Sequence, residues 1–208
     1  MRSHACAPRE TGGRPFRRAR TPAALAALPV LALALACAAA PAAAQEPIAY
    51  LPLAPEGLPS AGPCAAATSA VDTVPAVKVR SALRCVVDVE RARHGLRPLV
   101  PDARLARAAQ RHARDMVRRH YFAHERAGWT LAGRLRAAGW SGTRAAEAIA
   151  WGCGGRATPL GTLNAWLKSA PHRAIVLGNY SRAGVGLAAS APSTSCAGGG
   201  TWVLNTGA

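Results

Sequence analysis

Three residues carry the chemistry open to this chain: His124 in "YFAHE", Glu147 in "AAEAIAW" and His172 in "SAPHR". Both histidines fall beside loops or element ends, where polar side chains can face a cleft. Glu147 lies inside a short apolar run, and a carboxylate there is costly to bury unless it meets a cation or a metal. Two neutral imidazoles and one carboxylate are the right ligand types and number for zinc, or another divalent cation, with an open fourth position. A metal-bound water would then be the nucleophile of a metal-dependent hydrolase acting on peptides or cell wall, with Glu147 as ligand or base. The separations of 23 and 25 residues are unlike the H-E-x-x-H helix of zinc proteases and lend this reading no independent support. The alternative is a buried His–Glu–His network that pins helices to a sheet.

Other schemes fare worse. Ser169 lies three residues before His172, but no G-x-S-x-G turn precedes it and no aspartate obviously orients the imidazole. "CAGGG" follows a loop and precedes a strand, the wrong context for a phosphate loop. Trp151, Trp166 and Trp202 read as core.

The elements that must position these groups follow from pattern. Val79, Leu83, Val86 and Val87 recur at helical spacing in a segment that begins near Val77 and ends at Gly95, where a left-handed cap fits. A second helix starts at Asp102 and buries Leu105, Ala108, Ala109, His112, Ala113 and Met116, leaving an arginine-rich outer face. His112 on that stripe reads as a hydrogen-bonded core residue, and His94 and His120 as helix-end residues favoured by the dipole. Thr130 caps a short third helix that Gly139 ends, and Thr158 with Pro159 opens a fourth. "AAEAIAW", "AGVGLAAS" and "TWVLNTG" read as strands. Helices first and strands later give an α+β domain, with helices on both faces of a small, mostly antiparallel sheet.

Residues 1–44 read as a secretory signal: Arg14, Arg17, Arg18 and Arg20, an apolar run from Ala23 to Ala36, then Ala42-Ala43-Ala44 before Gln45. The apolar run is too short to remain as a membrane span. Export places the chain outside the cell or in the periplasm; Cys37 in "LALAC" raises lipid anchoring as a lesser alternative. Residues 45–76, rich in Pro and Ala, read as a linker tied down at Cys64, and 77–208 as the folded domain. An oxidising compartment favours disulfides among Cys64, Cys85, Cys153 and Cys196, and of three pairings the expected one joins Cys64 to Cys85 and Cys153 to Cys196.

The net charge is +16, and +11 once the six arginines and one glutamate of residues 1–44 are removed. The arginines look dispersed along helices, a compositional bias, and aromatic residues do not interleave with them, so nucleic acid is not the expected partner. Anionic lipid head groups or acidic wall polymers suit an exported basic surface better.

"DVERARHGLRPL" resembles the N-x-x-R-x-x-x-G-L-x-P-L opening of the CAP domain family, the secreted cysteine-rich, antigen 5 and pathogenesis-related-1 group, in its bacterial branch. "YFAHE", "AEAIAWG" in place of G-E-N-I-A-x-G, "WLKSAPHRAIVL", "AGVGLA" and "TWVLNTG" follow in the family's order, from about Arg80 to the end. The resemblance implies an α-β-α sandwich in which His124, Glu147 and His172 line one cleft, able in some members to hold a divalent metal. It also implies lipid, sterol or cell-wall ligands, and a binding module rather than an enzyme. Ala146 and Ala148 replace the family's glycine and asparagine, Asp88 replaces asparagine, and Ile175 replaces a polar residue. Ser169 stands where animal and plant relatives have a second glutamate, which predicts weaker cation binding.

Overall fold

The structure, a computed structural model, describes residues 52–58, 61–193, 196 and 198–208. The expected signal over 1–44, with Cys37, lies outside them. Five helices and four strands follow in chain order: α1 (Ala76–Arg93), β1 (Val100–Pro101), α2 (Ala103–Arg118), α3 (Leu131–Ala137), β2 (Ala145–Cys153), α4 (Pro159–Lys168), α5 (Ala170–Val176), β3 (Arg182–Ala188) and β4 (Gly199–Gly207).

Local chemistry sets the helix ends. Asp102 accepts from the Arg104 and Leu105 amides, Thr130 from Gly133 and Thr158 from Gly161. After α1, Gly95 turns left-handed at φ +67°. Its amide bonds the Ala92 carbonyl while that of Leu96 bonds Arg91, the paired closure that satisfies a helix C-terminus.

The sheet runs β1-β3-β4-β2, parallel only between β1 and β3. Alternation along the strands sorts side chains to two faces. Ala148, Val185, Leu187, Trp202 and Leu204 join Val79, Leu83 and Val86 of α1 and Leu163 and Trp166 of α4. Ile149 and Val203 meet Ala109, Ala113 and Met116 of α2. This is the expected three-layer α-β-α sandwich. Helix α2 sits directly on β3 because Gly184 and Gly186 face it: a Cβ there would come within 2.0 Å of Ala106 N and 2.3 Å of Ala109 C. Trp166 and Trp202 are core, as expected, whereas Trp151 is exposed.

The segment before α1 packs more than a tether at Cys64 requires. Leu53, Ala67 and Val71 join the main core, and Asn164 of α4 both donates to the Leu53 carbonyl and accepts from its amide. The disulfides Cys64–Cys85 and Cys153–Cys196 are those expected. Among the described residues no helix is long and apolar enough to cross a membrane.

Candidate functional site

Glu147 lies on β2, an edge strand, on the face turned toward α2 and α3, and is 5% exposed. Its counter-charge is Arg134 of α3, itself fully buried. Arg134 Nη2 donates to both carboxylate oxygens, at 2.8 and 2.7 Å. Its Nη1 donates to the carbonyls of His124 at 2.9 Å and Trp129 at 2.7 Å. One guanidinium therefore neutralises the strand carboxylate and fixes the loop that carries His124. Buried ion pairs persist where extra hydrogen bonds satisfy the remaining donors, and of the Arg134 donors only Nε has no partner among the described residues.

His124 completes the cluster. Its Nδ1 lies 3.0 Å from Glu147 Oε1, so Nδ1–H donates to the carboxylate and Nε2 is left for a ligand. The side chain is half exposed. His172, on α5, uses the same nitrogen: Nδ1 is 2.8 Å from Ser169 Oγ. Ser169 holds the N-cap position of α5 without capping the helix, its hydroxyl turned to the imidazole instead. Burial and the His124 charge both lower the pKa of His172. The His124 charge therefore reaches the His172 ring.

His112 backs this arrangement from α2. It is fully buried, as expected, but neither ring nitrogen makes a hydrogen bond, and Nε2 is 3.6 Å from Glu147 Oε1. Burial lowers its pKa, while the Glu147 charge acts the other way.

Arg91 of α1 holds the end of α5, and Asp88 of α1 holds the segment before β1. Arg91, buried, donates through Nη1 to the carbonyls of Val176 at 2.8 Å and Gly178 at 2.9 Å, and through Nε to Arg97 at 3.0 Å. Asp88 accepts from the Leu99 amide at 2.9 Å, doing the job of an asparagine carbonyl there; burial raises its pKa.

The model of the cysteine-rich secretory protein family, CAP, matches residues 85–205. The chain belongs to the CAP family. In structure this CAP domain is similar to an extracellular protein containing an SCP domain from Bacillus anthracis, at 24% identity and a TM-score of 0.52, over 64% of this chain and 44% of that one. The chain thus spans less than half of that protein. It is also similar to an outer surface protein from Borrelia burgdorferi, at 18% identity and a TM-score of 0.56, over 64% of this chain and 95% of that one. At these identities the likeness speaks for the fold. None of the curated proteins compared with the chain matches it.

The CAP domain thus brings His124 and Glu147 into direct contact and His172 into electrostatic reach of His124, with Ser169 bonded to His172. It does not bond His172 to Glu147. The donor set only partly suits a metal: the two imidazoles keep Nε2 free, but both Glu147 oxygens are held by Arg134, and among the described residues no three His, Cys, Asp or Glu side chains are placed to hold a metal ion together. Sequence reasoning missed Arg134. Its signal was present, since an arginine three residues after Leu131 and four before Ala138 stands on the buried side of α3.

Proposed function

We propose that this CAP domain works outside the cell as a binding module, taking a lipid, sterol or cell-wall component at the cleft formed by His124, His172 and Ser169 over Glu147. The observation that supports this reading is the matching brace on the two imidazoles: each is held at Nδ1, by Glu147 or Ser169, with Nε2 left open. Bracing of this kind fixes a ring before a ligand arrives, which lowers the ordering cost of binding. A divalent cation in the cleft would rest on His124 and His172 and take its other ligands from water or the bound molecule, polarising whatever oxygen it held. Glu147 acts as the brace and not as a ligand. The hydrolase reading asks Glu147 to take a proton from water, and its two oxygens already accept from Arg134 and His124, so the geometry gives it no support.

The test is uptake of a fluorescent sterol and of a fluorescent fatty acid by purified protein, with and without His124→Ala plus His172→Ala. Saturable uptake that survives high salt and falls at least about tenfold in the double variant supports the cleft. Uptake that disappears with salt, or that ignores the double variant, would place binding elsewhere.

A further inference from the structure

The fold gathers arginines that look dispersed in the sequence. Arg104, Arg107, Arg111, Arg114 and Arg118 fall three or four residues apart on the outward side of α2, all exposed. At a rise of 1.5 Å per residue they form a strip about 21 Å long with a charge roughly every 5 Å.

The ends of the strip are neutralised and its middle is not. Asp102 pairs with Arg104, and Asp115 with Arg118 and Arg119. Arg107, Arg111 and Arg114 form no ion pair among the described residues, Asp115 beside them being taken by Arg118 and Arg119. With Gln110 and Ala137 they line a hollow of about 310 Å³ between α2 and the end of α3. Two of the three are held in place: Arg107 Nη2 donates to the Ala138 carbonyl at 3.0 Å and Arg111 Nη2 to the Arg134 carbonyl at 3.3 Å. Each keeps further N–H groups directed outward, because a guanidinium has five.

We propose that this strip is a docking face for a linear, phosphate-bearing polyanion. Clustered guanidinium groups without acid partners recognise phosphate by charge and paired hydrogen bonds. The regular spacing suits a chain of charges lying along the helix. A membrane surface fits less well, because no large apolar side chain accompanies the arginines on this face to enter a bilayer. The cleft and the strip are on opposite sides of α2, since His112 points inward to Glu147. The two proposals can therefore fail separately.

The experiment measures binding of long-chain inorganic polyphosphate to purified protein across a salt series. It compares wild type with Arg107→Gln/Arg111→Gln/Arg114→Gln, with Arg114→Glu alone, and with the charge-matched control Lys78→Gln/Arg84→Gln/Arg93→Gln on α1. At about fivefold per arginine, the α2 triple should bind roughly a hundredfold more weakly, with a shallower salt dependence. The α1 triple should lose far less. Arg114 makes no bond within the described structure, so Arg114→Glu tests the strip without touching the α3 carbonyls, and should weaken binding at least about fivefold. Equal losses in the two triples would reduce the effect to net charge and overturn the proposal. So would vesicles containing phosphatidylglycerol binding as tightly as the polymer with the same dependence on the strip, which would make the partner a membrane.

Discussion

Replacing Arg134 with methionine isolates the brace beneath the cleft. Methionine keeps most of the side-chain volume and removes four hydrogen bonds: two to Glu147 and one each to the His124 and Trp129 carbonyls. Glu147, with a side chain only 2% exposed, is left without its full countercharge. Removing one member of a buried pair costs about 3–5 kcal/mol, because the remaining charge stays desolvated. Replacing both members with apolar residues is far milder, so Arg134→Met with Glu147→Met should lose at least about 2 kcal/mol less than the two single losses combined. Urea unfolding with disulfides intact gives each stability. Arg134→Met within about 1 kcal/mol of wild type, or losses additive to about 0.5 kcal/mol, would refute the brace.

Removing the hydroxyl in Ser169→Ala should cut ligand or zinc affinity about 10- to 100-fold while changing stability by under about 1.5 kcal/mol, checked by titration and urea unfolding; an affinity unchanged within twofold would count against it. Stability should fall with acid from near neutral pH. Burial depresses the His112 pKa, and burial with the His124 charge depresses that of His172. The unfolded chain then takes protons more readily, so their contribution is present above the ordinary value of about 6.5 and is lost as pH falls through the lower folded values. Around His112 the Arg134 and His124 charges add to the shift, whereas the Glu147 charge and the Ala123 backbone oppose it. Asp88, raised by burial, works the other way nearer the carboxylate range. Urea midpoints from pH 7.5 to 5.5 should show the fall, shallower in His112→Gln; an identical slope in that variant would remove His112 from the account. Opening the 21-residue Cys64–Cys85 loop by serine replacement should cost about 3 kcal/mol in the same assay, and a cost under about 1 kcal/mol would mean that the segment before α1 is held by packing alone.

Much of the fold was legible because it is written in local chemistry. Asp102, Thr130 and Thr158 announce helix starts through bonds to amides two or three residues away, and the helical spacing of α2 needs no tertiary knowledge. What the sequence hid is short or distant. Helix α5 has seven residues and begins directly after α4, too brief for a period to appear. Strand β1 has two residues, one a proline, and exists only because β3 lies beside it. Composition made residues 45–76 look like a linker, yet Leu53 and Val71 are buried where α1, α4 and the sheet meet. At the site, the cost of a carboxylate in an apolar run predicts that Glu147 has a partner. Which partner depends on how α3 folds back over β2, so Arg134 could not be chosen over a metal without the fold. The arginines of α2 mislead in the same way, since a count shows excess and only the helix shows the strip.

The claim most in need of testing is that His124 and His172 present their Nε2 atoms as one pair. Long-range proton–nitrogen NMR of the imidazoles, recorded at about pH 8 before and after one equivalent of zinc, tests it directly. The account predicts His124 as the Nδ1–H tautomer and joint movement of the His124 and His172 Nε2 signals, lost for both when either residue is replaced by alanine. An Nε2–H tautomer at His124, or signals that respond independently, would contradict it.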